Sequence, residues 1–314
     1  MTKEKLIVIC GPTGVGKTAL SLDLAQKFSG EVVNGDSMQV YRQLDIGTAK
    51  ISPEECGTIP HHLFDLREVH ESYSVADFKR DATEVITNIH ERGHLPLLVG
   101  GTGLYLEALL YDFDLGAEVA EHPAFREAMA DYADQYGPLA LHQKLQAVDP
   151  EAAEAIHPNN QRRVIRALEV CQFSSGKFSD QKQSRHQDSP YDLLIIALVR
   201  DRQKLYAQIN QRVLEMVDQG LLEEARWLYQ QDLPSDAQSM KAIAYKELFP
   251  YLSGQERLET GIQRLQKNTR HYAKRQLTWI RHRLPAAQTY DLVDDPQATD
   301  YRRLVEEVKR FLKT

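Results

Sequence analysis

Cysteine is scarce in this chain: Cys10, Cys56 and Cys171 are the three among 314 residues. Their odd number and lack of metal-like spacing argue against a disulfide framework or a cysteine metal site, and suit the incidental thiols of a reducing compartment. Long apolar runs are also missing. The opening Met1-Thr2-Lys3-Glu4-Lys5 leads into an apolar run far too short for a signal or membrane segment, so a cytoplasmic chain without membrane contact is expected. A net charge of −7 argues by itself against nucleic acid. The acid is unevenly spread, however. No Asp or Glu occurs from Thr260 to Tyr290, where Arg264, Lys267, Arg270, Lys274, Arg275, Arg281 and Arg283 all fall. An acidic chain with one basic segment has a directed field, for which phosphodiester backbones are a natural target.

What is present begins with Leu6-Ile7-Val8-Ile9-Cys10, read as a buried parallel strand. Gly11-Pro12-Thr13-Gly14-Val15-Gly16-Lys17-Thr18 follows and matches G-x-x-x-x-G-K-[ST], with a helix expected from Ala19 to Phe28. Glycines let the backbone curl its N–H groups around an anion, and the helix directs its positive end into the same cradle. Lys17 adds a point charge and the Thr18 hydroxyl is placed to ligate Mg²⁺. The loop alone leaves open whether the phosphate belongs to ATP, GTP or another diphosphate.

A second strand is expected from Gly30 to Gly35, running into Asp36-Ser37-Met38-Gln39-Val40-Tyr41-Arg42. Polar groups at the carboxyl end of a parallel strand lie where open α/β sheets bind ligands, which favours chemistry over a plain turn at Asp36. Residues 47–73 read as loop, and the adjacent His61 and His62 as hydrogen-bonding residues rather than metal ligands. Ser74 to Arg92 reads as a helix capped by Ser74, with a stripe of Val75, Phe78, Ala82, Val85, Ile86 and Ile89. A third strand, Leu95 to Val99, ends in Gly100-Gly101-Thr102-Gly103-Leu104-Tyr105 instead of the metal-holding Asp of an ordinary P-loop NTPase. Beside a phosphate site, the N–H groups of Gly100 and Gly101 and the Thr102 hydroxyl are candidate donors to a leaving diphosphate.

From residue 114 to 191 the pattern is helical throughout: His122 to Tyr136, Pro138 to Val148 and Asn160 to Phe173. Arg162 and Arg166 lie one turn apart, Asn159 and Asn160 are in capping position, and an RNA contact there is as plausible as a solvated face. Residues 174–190 read as a polar loop. A strand returns at Leu193 to Leu198, then helices at Asp201 to Gln219, with Arg212 opposite Val213 and Val217, and at Leu221 to Gln231. The basic segment is expected as a long helix from about Glu256 to Arg283, and an amphipathic helix closes the chain. The expected fold is α/β, a P-loop NTPase-like parallel sheet flanked by helices, formed by residues 1–113 and 192–314 and carrying an all-helical insertion at 114–191.

The blocks Gly11 to Thr18, Asp36 to Tyr41, Gly100 to Tyr105, Gln161-Arg162 with Arg166-Ala167-Leu168-Glu169, and Tyr272-Ala273-Lys274-Arg275-Gln276-Leu277-Thr278-Trp279 resemble, in order, those of the bacterial tRNA dimethylallyltransferase (tRNA isopentenyltransferase) family. Ala244 before Tyr245-Lys246-Glu247 departs from that pattern, which has Gly. The resemblance implies transfer of a dimethylallyl group from its diphosphate to the exocyclic amine of the adenosine 3′ of the anticodon, with Mg²⁺ as cofactor, by a monomer. It also implies tRNA contacts through Asp36, Ser37, Met38, Gln39, Thr102, Arg126, Gln161, Arg162, Arg163, Val164, Ile165, Arg166, Lys274 and Arg275. Residue chemistry agrees. Lys17, Thr18 with Mg²⁺, the loop amides and Thr102 can hold the departing charge, to which the resemblance adds Arg212; Asp36 is the candidate base. A small-molecule or nucleoside kinase using ATP is the alternative. It would need a strand-end acid and an arginine-bearing lid, and only residues 177–185 could pass for the latter. A P-loop RNA-binding factor that does no chemistry would leave Asp36 and Thr102 without a task.

Overall fold

The computed structural model describes residues 3–111, 122–174, 176–180, 189–293 and 299–313. Short apolar runs form β1 (Glu4–Cys10), β2 (Gly30–Asn34), β4 (Leu95–Gly100) and β5 (Tyr191–Leu198), joined by the shorter polar β3 (His61–His62) and β6 (Gln288–Tyr290). They make one sheet in the order β3-β2-β4-β1-β5-β6, every pair parallel. Leu6 to Cys10 are wholly buried, as a central strand covered on both faces requires.

Helices α1 (Lys17–Phe28), α2 (Pro53–Cys56), α3 (Val75–Glu91) and α4 (Gly103–Leu110) belong to the first half of this unit. Ser74 and Asp77 form a capping box that starts α3, and Phe78, Ala82, Ile86 and Ile89 turn into the core. The chain divides into two compact units, Met1–Leu109 with Pro190–Thr314, and Leu110–Ser189. Among its described residues the second unit is helical: α5 (Pro123–Tyr136), α6 (Pro138–Val148), α7 (Pro150–Ala155) and α8 (Gln161–Phe173) around a core that includes Leu141, Leu145, Val164 and Leu168. Asp149 caps α7 and also accepts from the Ser179 N–H at 2.8 Å. The expected start of the insertion and most of the loop at 174–190 lie outside the described residues. The first unit then continues through α9 (Arg202–Asp218), α10 (Leu221–Tyr229), α11 (Phe249–Leu252), α12 (Leu258–Arg283) and α13 (Thr299–Lys313).

Topology positions the site. From β1 the chain moves to β2 on one side, and from β4 it reaches β5 on the other, so the crevice outside the carboxyl ends of β1 and β4 is the switch point. The phosphate loop follows β1 and Gly101-Thr102 follows β4. At the strand ends two backbones nearly touch: a Cβ at Gly100 would lie 2.3 Å from the Gly35 carbonyl oxygen. Close approach, rather than phosphate binding, therefore accounts for glycine at position 100.

Two elements depart from the sequence reading. His61-His62, expected as loop, pairs with Val32-Val33, and Gln288 to Tyr290 adds an edge strand beside β5. Runs of two and three residues carry no readable period; the neighbouring strand edge makes them strands. Ala244, where Gly was expected, is buried at φ 105°, a conformation L-residues seldom adopt. The turn holds it there, since the Ala244 N–H donates to the buried Glu247 carboxylate at 3.1 Å. Ala244→Gly is expected to raise the unfolding free energy by about 1 kcal/mol, the released strain exceeding the added chain entropy. A urea midpoint that does not move would show Ala244 to be unstrained.

Candidate active site

Gly14 and Gly16 take the left-handed backbone that the loop requires, and α1 begins at Lys17, so its first N–H groups face the cradle. Lys17 Nζ donates to the Gly11 and Pro12 carbonyls at 3.0 and 2.9 Å. Burial pulls its pKa down to about 8; the Asp36 charge opposes this and the Arg212 charge deepens it. Arg212 lies on α9, whose Leu205, Ile209 and Val213 are buried. The arginine is thus within electrostatic reach of Lys17, and burial lowers its own pKa.

Across the crevice, Asn34 at the end of β2 fixes the turn that carries Asp36. Its amide accepts from the Asp36 N–H at 3.0 Å and donates to the Leu63 and Asp36 carbonyls. Asp36 Oδ1 accepts from the Met38 N–H at 2.8 Å. Burial raises the Asp36 pKa, offset in part by that N–H, the Lys17 charge and the Gln39 N–H. Thr102 Oγ1 accepts from the Ser37 N–H at 3.1 Å and stands 3.4 Å from Ser37 Oγ. Asp36, Ser37, Thr102, Lys17 and Arg212, scattered over the sequence, therefore surround one crevice. Cys10 lies beneath it, its thiol pushed up to about 12 by burial, which keeps it protonated and unreactive.

Two further site residues come from α12. Gln276 Oε1 accepts from the Thr13 N–H at 2.9 Å while its Nε2 donates to the Gly101 carbonyl at 3.1 Å, bridging the phosphate loop to the end of β4. Tyr272, one turn earlier, is raised in pKa by burial and by the Asp36 charge, and its phenol interacts with Thr102 and Gln276. Trp279 continues the same face; a Cβ at Gly103 would lie 2.4 Å from its indole. The spacing of Tyr272, Gln276 and Trp279 at i, i+4 and i+7 was the available signal, a polar-aromatic face within a basic segment.

On the outer side of α12, Lys274 and Arg275 are exposed and line an open trough of about 590 Å³ with His271, Thr278, Trp279, His282 and Arg283. In the helical unit, Gln161, Arg162 and Arg163 form the first turn of α8, with Gln161 half-buried and both arginines exposed. Three expectations there, at Val164, Ile165 and Asn160, need correction, and two arginines prove to have a structural partner as well. Val164 and Ile165 are core residues of that unit, 0% and 9% exposed, so their side chains do not face a ligand. Arg126 and Arg166 both pair with the fully buried Glu169, at 2.9 and 2.7 Å. Burial disfavours the Glu169 charge, yet the bonds from Arg126, the His122 N–H and Arg166 outweigh it and hold the carboxyl below its usual range. These two guanidiniums are committed first to neutralising a core carboxylate. Asn160 occupies the cap position of α8, but its side chain makes no capping bond.

No cluster of three or more His, Cys, Asp or Glu that could hold a metal occurs among the described residues, and no described helix is long and apolar enough to cross a membrane. The family model for IPP transferase matches residues 39–283, more than half of the chain. A tRNA dimethylallyltransferase of Latilactobacillus sakei is 49% identical over 315 residues, covering 100% of both chains. That of Halalkalibacterium halodurans is 48% identical over 99% of this chain and 97% of its own. Among solved structures, a tRNA isopentenylpyrophosphate transferase from Bacillus halodurans superposes with TM-score 0.72 at 48% identity, over 99% of this chain and 96% of that one. A eukaryotic dimethylallyltransferase acting on tRNA superposes with TM-score 0.87 at 32% identity, over 99% of this chain and 80% of that one. With a phosphate cradle, a desolvated carboxylate and this likeness along its whole length, the chain belongs to the IPP transferase family of tRNA dimethylallyltransferases.

Proposed function

We propose that this chain, as a monomer, transfers the dimethylallyl group of dimethylallyl diphosphate to N6 of the adenosine 3′-adjacent to the anticodon of tRNA, releasing diphosphate. The observation that carries this reading is the opposition of charge beside the phosphate loop: Lys17 feels the opposite charge of Asp36 and the like charge of Arg212, while Asp36 at the end of β2 feels Lys17. An allylic C–O bond ionises readily, so the main requirement is to stabilise the departing oxygens. The loop N–H groups, Lys17 and Arg212 supply fixed positive charge in a site shielded from water. The adenine amine is a weak nucleophile because its lone pair is delocalised into the ring. As N6 forms its bond to the allylic carbon, Asp36 takes the N6 proton, and its raised pKa makes it a stronger base than a solvated aspartate. Thr102, joined to the Ser37 N–H and to Tyr272, supports the Asp36 turn and adds a hydroxyl toward the leaving group.

Mg²⁺ fits the cradle chemically. The Thr18 hydroxyl is exposed on the first turn of α1, a hard oxygen of the kind Mg²⁺ takes together with phosphate oxygens and water. When bound, the ion would neutralise charge on the diphosphate. Gripping of the anticodon stem-loop falls to cations without a buried partner carboxylate, namely Arg162 and Arg163 in the helical unit and Lys274 and Arg275 on α12, with Gln161 beside the first pair. A target base in a loop leaves its stack at lower cost than one in a duplex. Ser37, Met38 and Gln39 line its place next to Asp36.

Incubation with radiolabelled dimethylallyl diphosphate, Mg²⁺ and unmodified tRNA is expected to leave label in the RNA. ATP-dependent phosphorylation of a small molecule, with unlabelled RNA, would favour a kinase instead. Asp36→Ala is expected to lower turnover by on the order of 10²–10⁴ at nearly constant tRNA affinity; a parallel loss of tRNA binding would make the carboxylate structural. Thr102→Ala should cost about 10²-fold in turnover with little change in melting temperature; a lower melting temperature with normal turnover would refute its role. Only protonated Lys17 attracts the diphosphate, so kcat/KM for that substrate is expected to fall as pH rises through about 8. A profile flat to pH 10 would remove Lys17 from the binding step.

A further inference from the structure

Glu224, in the first turn of α10, lies outside the catalytic crevice, yet its carboxylate is saturated by one loop. Oε2 accepts from the Asp45 and Ile46 N–H groups, both at 2.9 Å, and Oε1 accepts from the Gly47 N–H at 2.8 Å. The fully buried Tyr245 donates its hydroxyl to Oε1 at 2.6 Å. Three successive N–H groups directed at one carboxylate form an anion nest, filled here from within the chain. The fit against Tyr245 is tight: a Cβ at Gly47 would lie 2.6 Å from the phenol ring. Lys50, its side chain 5% exposed, ties the same turn to Asp45, Asp65 and the Tyr41 carbonyl.

The shape held this way is not a relaxed one. Ala49 sits at φ 54°, a left-handed conformation that a non-glycine residue keeps only when its surroundings impose it. That turn also presents the Thr48 and Ala49 carbonyls to Gln39 Nε2, at 3.0 and 3.3 Å. Carbonyls only accept, so the end of the Gln39 amide facing them is its NH₂ group. Oε1 is then left as an acceptor in a fixed direction, with no donor among the described residues.

We propose that Glu224, braced by Tyr245, is a positioning residue for substrate selection: it holds the 45–49 turn in the one shape that orients the Gln39 amide, so that Gln39 offers an acceptor oxygen to an N–H of the incoming nucleotide. This rests on Gln39 contacting RNA as proposed above. Glu224 touches neither substrate and acts through residues 45–49. An amide in its place has a single acceptor oxygen and would turn N–H groups against the loop's own N–H groups. Tyr245→Phe keeps the packing and removes one bond.

The test is a double-mutant cycle on steady-state constants, measured separately for an anticodon stem-loop RNA and for dimethylallyl diphosphate. Glu224→Gln is expected to raise KM for the RNA roughly 10–100-fold while KM for the diphosphate stays put. Tyr245→Phe should shift the same constant by several-fold, and it carries the test if Glu224→Gln fails to fold. In a Gln39→Ala background both substitutions should lose most of their effect on that constant. Effects that simply add, or a lower melting temperature with unchanged KM for RNA, would overturn the positioning role while leaving Gln39 as an RNA contact. If Gln39→Ala by itself leaves KM for RNA unaltered, the contact assigned to Gln39 is wrong and the positioning role falls with it.

Discussion

One side-chain amide holds the crevice together. Gln276 reaches from the C-terminal half of α12 to accept from the Thr13 N–H and donate to the Gly101 carbonyl. Both partners are backbone groups at strand ends, where the ladder has run out and no neighbouring strand can satisfy them. The bridge is nearly buried, so breaking it would leave polar groups unpaired away from water. It also places α12 where Tyr272 meets Thr102 and Trp279 lies on Gly103. The helix that presents cations outward is the same helix that closes the phosphate site inward.

Within that closure, burial acts on opposite charges in opposite senses. It raises the pKa of Asp36 and lowers that of Lys17, so the two values move toward each other. Each is partly restored by the other's field, and Arg212 works against Lys17. A diphosphate entering between the two cations would remove that repulsion and favour both charges. Desolvation therefore makes the site strained toward an anion before any chemistry begins, which is the kind of preorganisation that electrostatic catalysis uses.

The helical unit applies a different rule to similar residues. Glu169 has no exposed surface and is charged only because two guanidiniums and a backbone N–H meet it. Arg162 and Arg163 have no such obligation and remain exposed. Four arginines that look alike in composition thus divide into two that hold a core and two that are available to solvent or polyanions.

The sequence by itself determined the strand and loop of the phosphate cradle, the carboxyl-end polar block at Asp36, the basic face of α12 and the limits of most long helices. These are local properties, written in periods of two or 3.6 residues, in capping residues and in glycine spacing, and Ser74 with Asp77 shows how far such signals reach. Only the tertiary structure decided the rest. Gln276 bonds to backbone groups more than a hundred residues away, Glu224 does the same besides meeting Tyr245, Val164 and Ile165 turn inward because the neighbouring helices cover them, and Arg126 meets Arg166 over a shared carboxylate. A hydrogen bond between distant segments has no period and no spacing, so it becomes legible only once the chain has folded.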